Sequence, residues 1–83
     1  MNEINIKTSL KVFLCEELKV EEAVLDYDSP LFGDGPIGLD SIDSLEIIAF
    51  VDNEYGVNMT GVEKEYFYSI DTITAYIMSC GQD

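Results

Sequence analysis

With 83 residues the chain is long enough for one domain and too short for two, so a single domain over 1–83 with a modest core is expected. An apolar fraction of 47% excludes a wholly disordered chain, while four lysines against seventeen carboxylates, with no arginine or histidine, leave a formal net charge of −13. That field repels nucleic acid and anionic membrane surfaces, which need basic contacts, and it favours protein partners that present basic patches. No stretch reaches the roughly 20 apolar residues of a membrane span, so no membrane insertion is expected. The opening Met1-Asn2-Glu3-Ile4-Asn5 lacks the basic-then-apolar order of a signal peptide. Cys15 and Cys80 lie far apart, without CxxC spacing or a histidine to complete a zinc site. They read as reduced thiols of a cytoplasmic protein without a metal.

From about Glu3 to Lys19, Ile6, Leu10, Phe13, Leu14 and Leu18 recur at three- and four-residue steps, which predicts an amphipathic helix. A long connection follows, Val20 to Asp40, dense in breakers at Asp28-Ser29-Pro30, Gly33-Asp34-Gly35-Pro36 and Gly38. It also carries Val24, Leu25, Leu31, Phe32 and Ile37, which a solvated linker would not need; these are expected to close one end of the core. A second helix should run from about Ser41 to Tyr55, capped by Asp40 or Ser41 and stopped by a left-handed Gly56. Thr60-Gly61-Val62-Glu63 fits a capping box that opens a short helix through about Phe67. Ser69 can cap a last helix with Ile70, Ile73 and Ile77 on one face. Nothing alternates like a strand. The expected fold is all-α, a small four-helix bundle of three longer helices and one short one with a long first loop.

The second helix carries more apolar faces than a core requires. At about 100° per residue, Ile47, Ile48, Val51 and Tyr55 share one arc, and Ile42, Leu45 and Ala49 share another. Asp43, Glu46 and Glu54 lie between and beyond them. Full burial would desolvate these carboxylates at high cost, so the second arc reads as a surface for partners. Leu45 has a second reading, packing beneath the long loop, and Phe50 falls between acidic neighbours with no clear place on the wheel.

The run Gly38-Leu39-Asp40-Ser41-Ile42-Asp43-Ser44-Leu45-Glu46-Ile47-Ile48 closely resembles the attachment motif of acyl carrier proteins. The resemblance continues through Asp52-Asn53-Glu54-Tyr55-Gly56 and reaches the last helix, Ser69 to Ile77. It implies that Ser41 carries a 4'-phosphopantetheine arm, delivered from coenzyme A by a phosphopantetheinyl transferase, whose thiol holds acyl groups as thioesters. By the same resemblance Asp40, Ile42, Asp43, Leu45, Glu46 and Ala49 would face partner enzymes of the ketoacyl synthase, acyl transferase or acyl ligase type. The carrier would be a monomer and no enzyme itself. An apolar interior lined by Leu14, Ile47, Val51 and Ile73 would shelter the cargo. Leu31–Gly38 holds about two residues more than the usual family stretch, which leaves fatty-acid, specialised lipid and polyketide-like pathways open.

Three other readings of these residues compete. A catalytic Ser41 would need a general base, and the chain has no histidine. A serine at a helix start can also be a cap and nothing more. A calcium-binding EF-hand loop counted from Asp26 would put Leu31 at its sixth position and Ile37 at its twelfth, where glycine and glutamate are required. At the level of function, a peptidyl or D-alanyl carrier shares the same arm, although Leu39-Asp40 before Ser41 differs from the Gly-Gly-x-Ser common in peptidyl carriers. An acidic helical adaptor without a prosthetic group belongs to a different class altogether.

Overall fold

Three α-helices carry the fold in the computed structural model, which describes residues 2–33 and 35–81: α1 (Glu3–Glu17), α2 (Ser41–Tyr55) and α3 (Ile70–Gly81). The described residues contain no extended strand, only an isolated parallel bridge between Phe32 and Leu39. The architecture is all-helical as expected, with one change. The short helix is a single 3₁₀ turn, Lys64–Phe67, and another 3₁₀ turn, Glu22–Val24, lies in the long connection.

Each α-helix begins where a polar side chain can take up N–H groups that have no partner inside the helix. The Asn2 carboxamide oxygen accepts from Ile4 and Asn5, at 2.8 and 3.2 Å, and opens α1. That helix stops at Glu17, because Lys19 turns left-handed (φ 62°) and the Val20 N–H returns to the Leu14 carbonyl at 3.1 Å. At the start of α3, Ser69 and Thr72 bond reciprocally: Thr72 N–H donates to Ser69 Oγ and Ser69 N–H to Thr72 Oγ1. Ser69 therefore caps the last helix, as its position implied. Gly56 ends α2 at φ 67°, its N–H on the Asp52 carbonyl.

The predicted capping box at Thr60–Glu63 does not form. Gly61 sits at φ 80°, which no right-handed helix accommodates, and the Thr60 N–H goes to the Asn58 side chain at 2.9 Å. Glu63 precedes the 3₁₀ turn without a side-chain cap.

The core is built from one stripe of each helix: Ile6, Leu10 and Leu14 of α1, Ile47 and Val51 of α2, and Ile70, Ile73 and Ile77 of α3, all buried. Phe13 and Leu18, placed on the α1 stripe by their spacing, are half-buried at its margin. Along the seam of α1 with α3, Lys7 Nζ lies 3.0 Å from the Asp71 carboxylate and 3.3 Å from that of Glu3. The bond to Asp71, and then that to Glu3, hold the Lys7 ammonium above its ordinary pKa. Buried Thr74 adds a hydroxyl to the inner face of α3 that finds no hydrogen-bond partner among the described residues.

The long connection is part of the core instead of a free linker. Leu25, Leu31 and Leu39 are buried, Phe32 and Ile37 pack at the edge, and only Val24 of the predicted set stays exposed. Backbone bonds tie it down: Leu31 N–H to Tyr68 O at 2.8 Å, Leu39 N–H to Leu31 O at 2.9 Å, and Asp71 N–H to Tyr27 O at 2.9 Å. These bonds fix the point from which α2 departs.

Candidate functional site

The site grows from the way α2 begins. Asp40 adopts an extended conformation, and its Oδ1 accepts the N–H groups of Ile42 and Asp43 at 3.1 Å each. The Asp43 carboxylate reaches back to the Asp40 N–H at 3.0 Å, completing a capping box. Asp40 is thus the cap, and Ser41 is the first residue inside the helix. Its backbone carbonyl accepts from Ser44 Oγ at 2.6 Å, whereas its own exposed hydroxyl has no hydrogen-bond partner among the described residues. The reading of Ser41 as a plain cap falls with this geometry.

Two chemical consequences follow. Both nearby carboxylates point at backbone N–H groups and neither accepts from Ser41 Oγ, so no base is in place to activate it. Two of the N–H groups that a free helix start would offer to an anion are also engaged, because Asp40 occupies those of Ile42 and Asp43. An anionic group on Ser41 would therefore stand beside two carboxylates and find fewer free N–H groups than an uncapped helix start offers.

Ser41 lies at the edge of a cleft of about 670 Å³, between the start of α2 and the Met59–Tyr68 segment. Its apolar wall comes from Phe32, Leu39, Ile48, Met59, Val62 and Phe67. The expected interior of Leu14, Ile47, Val51 and Ile73 is a different place: all four are fully buried in close contact within the core, and none lines the cleft. Helical periodicity cannot find this cleft, because Met59 and Val62 follow Gly56 in irregular backbone and Phe67 ends a single 3₁₀ turn. Their one legible signal is that apolar residues persist where the helix has ended.

The predicted partner residues occupy two settings. Ile42 and Leu45 stand 68% and 63% exposed, so Leu45 does not pack beneath the loop. Asp40 and Glu46 are exposed and Asp43 half-buried. Asp40 lines the Ser41 cleft, whereas Glu46 and Ala49 line a second groove, shared with α1. Phe50, which the helical wheel left unplaced, stacks on Phe13 with ring centroids 4.3 Å apart and meets the edge of Tyr55 at 6.4 Å. No group of three or more metal-ligating side chains occurs among the described residues, and no helix there is long and apolar enough to cross a membrane.

A family model described as "Phosphopantetheine attachment site" matches residues 8–77, a span that holds α2 at its centre. Acyl carrier proteins from two strains of Treponema pallidum, the Nichols strain among them, are each 29% identical over 70 residues, covering 84% of this chain and 87% of the relative.

Proposed function

Because this chain belongs to the phosphopantetheine-attachment family of acyl carrier proteins, whose prosthetic group is 4'-phosphopantetheine, we propose that Ser41 is the residue that bears the arm. The observation that carries the reading is the division of labour at the start of α2: Asp40 does the capping, and the Ser41 hydroxyl is left exposed and unbonded. A separate transferase would join Ser41 Oγ to the phosphate of coenzyme A, the hydroxyl proton being lost and the nucleotide half leaving. Once attached, the arm supplies a thiol that holds an acyl group as a thioester. The chain itself then acts as a non-catalytic carrier, a single monomeric domain of the cytoplasm.

The residues around Ser41 fit that role. The carboxylates of Asp40 and Asp43 repel the phosphodiester and offset the pull of the helix's N-terminal dipole, which favours a swinging arm. When the arm folds back, the apolar wall of Leu39, Ile48, Met59 and Phe67 would shelter a cargo near the attachment point. Ile42 and Leu45 expose apolar area among Asp40, Asp43 and Glu46, a pattern suited to basic docking patches on the transferase and on ketoacyl synthase, acyl transferase or acyl ligase type enzymes. Fatty-acid, specialised lipid and polyketide-like pathways all use such a carrier.

Ser44 lines the same cleft and is the internal control, since its hydroxyl is already committed to the Ser41 carbonyl. Intact-mass measurement after incubation with coenzyme A and a broad-specificity transferase should show one added arm on wild type and on Ser44→Ala, and none on Ser41→Ala. An unmodified wild type would overturn the carrier reading, and modification of Ser41→Ala would move the site.

A further inference from the structure

The groove between α1 and α2, about 590 Å³, shares no lining residue with the Ser41 cleft. Its floor is apolar, formed by Val12, Phe13, Ala49 and Phe50, with Val12 48% exposed and Ala49 exposed. Its walls carry four carboxylates: Glu16 and Glu17 from α1, Glu46 and Glu54 from α2. None is ion-paired among the described residues; Lys7 takes Glu3 and Asp71, and Lys19 Nζ goes to the Glu16 backbone carbonyl, not its carboxylate. Four unpaired like charges flank solvated apolar area in the free protein. A cationic occupant pairs with those charges and covers the apolar floor at the same time.

The groove is open and bordered by two helices. Residues 9–17 and 46–54 form its two sides, each about 13.5 Å long at ~1.5 Å per residue, or roughly two turns and a half. We propose that it is a second docking surface, and that its occupant is a cationic amphipathic helix of a partner protein. Apolar residues of that helix would seat on Val12, Phe13, Ala49 and Phe50, with lysine or arginine on both flanks meeting the glutamates. Because α2 presents Ser41, Ser44 and Ile48 to the cleft but Glu46, Ala49 and Phe50 to the groove, the docked helix leaves Ser41 open. Such a partner would share Glu46 with the Ile42 and Leu45 face while leaving the Ser41 hydroxyl uncovered. The proposal stands on the groove alone and does not depend on what Ser41 bears.

The test uses the full chain, ¹⁵N-labelled, titrated with a synthetic helical peptide that has leucines along one face and lysines on both flanks. A scrambled peptide of the same composition is the control. Amide shifts should map to 9–17 and 46–54, and the scrambled peptide should bind at least about tenfold more weakly. Glu16→Lys/Glu54→Lys should lower affinity at least about tenfold. Glu22→Lys/Asp28→Lys, an equal change of charge in the exposed loop, should lower it less than about threefold; circular dichroism checks that both variants fold. Shifts centred on Ser41 to Leu45, equal binding of the scrambled peptide, or equal losses in the two charge variants would each overturn the proposal.

Discussion

Helices α2 and α3 are both rich in isoleucine, yet they place it differently. In α3, Ile70, Ile73 and Ile77 all point inward and are fully buried, whereas α2 buries Ile47 and Val51 but leaves Ile42 and Leu45 more than 60% exposed. Each outward aliphatic side chain forgoes roughly 1.5–3 kcal/mol of burial, a large loss in a chain of this size. Nothing in α2 compensates by folding over them. The difference separates a helix whose isoleucines all serve the core from one with apolar area to spare, and it supports the proposal that α2 meets partners. The ends agree: α3 starts in the half-buried Ser69–Thr72 pair, while α2 starts in two carboxylates beside an open cleft.

Substitutions in matching chemistry break this comparison if it is wrong. Ile73→Ala or Ile77→Ala should cost about 2–5 kcal/mol in denaturant unfolding, since each opens a cavity in a closed core. Ile42→Ala and Leu45→Ala should stay within about 0.5 kcal/mol of wild type. Comparable losses in the two helices would mean that the α2 residues are buried in solution and are not a contact surface.

A smaller effect separates Asp40 from its neighbour. Asp40→Ala should cost about 1 kcal/mol, the worth of a helix cap, while Ser41→Ala costs less than about 0.5 kcal/mol. If chemical denaturation ranked them the other way, Ser41 would be the cap and its exposure would lose its meaning. The smallest expected change sits in α3. Thr74→Val removes a buried hydroxyl without a partner and keeps the shape, so it should be neutral or stabilise by up to about 1 kcal/mol. A clear destabilisation would show that the hydroxyl is bonded, to a buried water for example, and that α3 is less purely apolar than it looks.

Much of this contrast was legible in the sequence. The bounds of α2 came from Asp40 before the helix and Gly56 after it, both of them local signals, and the structure has α2 at Ser41–Tyr55. The two arcs of α2 followed from 3.6-residue periodicity, and burial agrees for Ile47, Val51, Ile42 and Leu45. What stayed hidden depends on tertiary context. Whether Asp40 or Ser41 caps is decided by where Leu39 is pinned, through its bond to Leu31 eight residues earlier. The Thr60 box looked sound because Thr and Glu had the right spacing, but Gly61 between them takes a left-handed turn. The cleft beside Ser41 stayed hidden because most of its wall comes from segments without a helical period, whereas Leu14, Ile47, Val51 and Ile73, conspicuous by theirs, are buried in the core.

The most direct test of α2 as a reception surface is the rate at which a transferase modifies Ser41 in Leu45→Arg, measured beside its melting temperature. The melting temperature should stay within about 4 °C of wild type, as for a surface change. The kcat/KM for attachment should fall at least about tenfold, a loss of about 1.4 kcal/mol in productive contact. A rate equal to wild type would contradict the role given to this face, and a collapsed melting temperature would return Leu45 to the core.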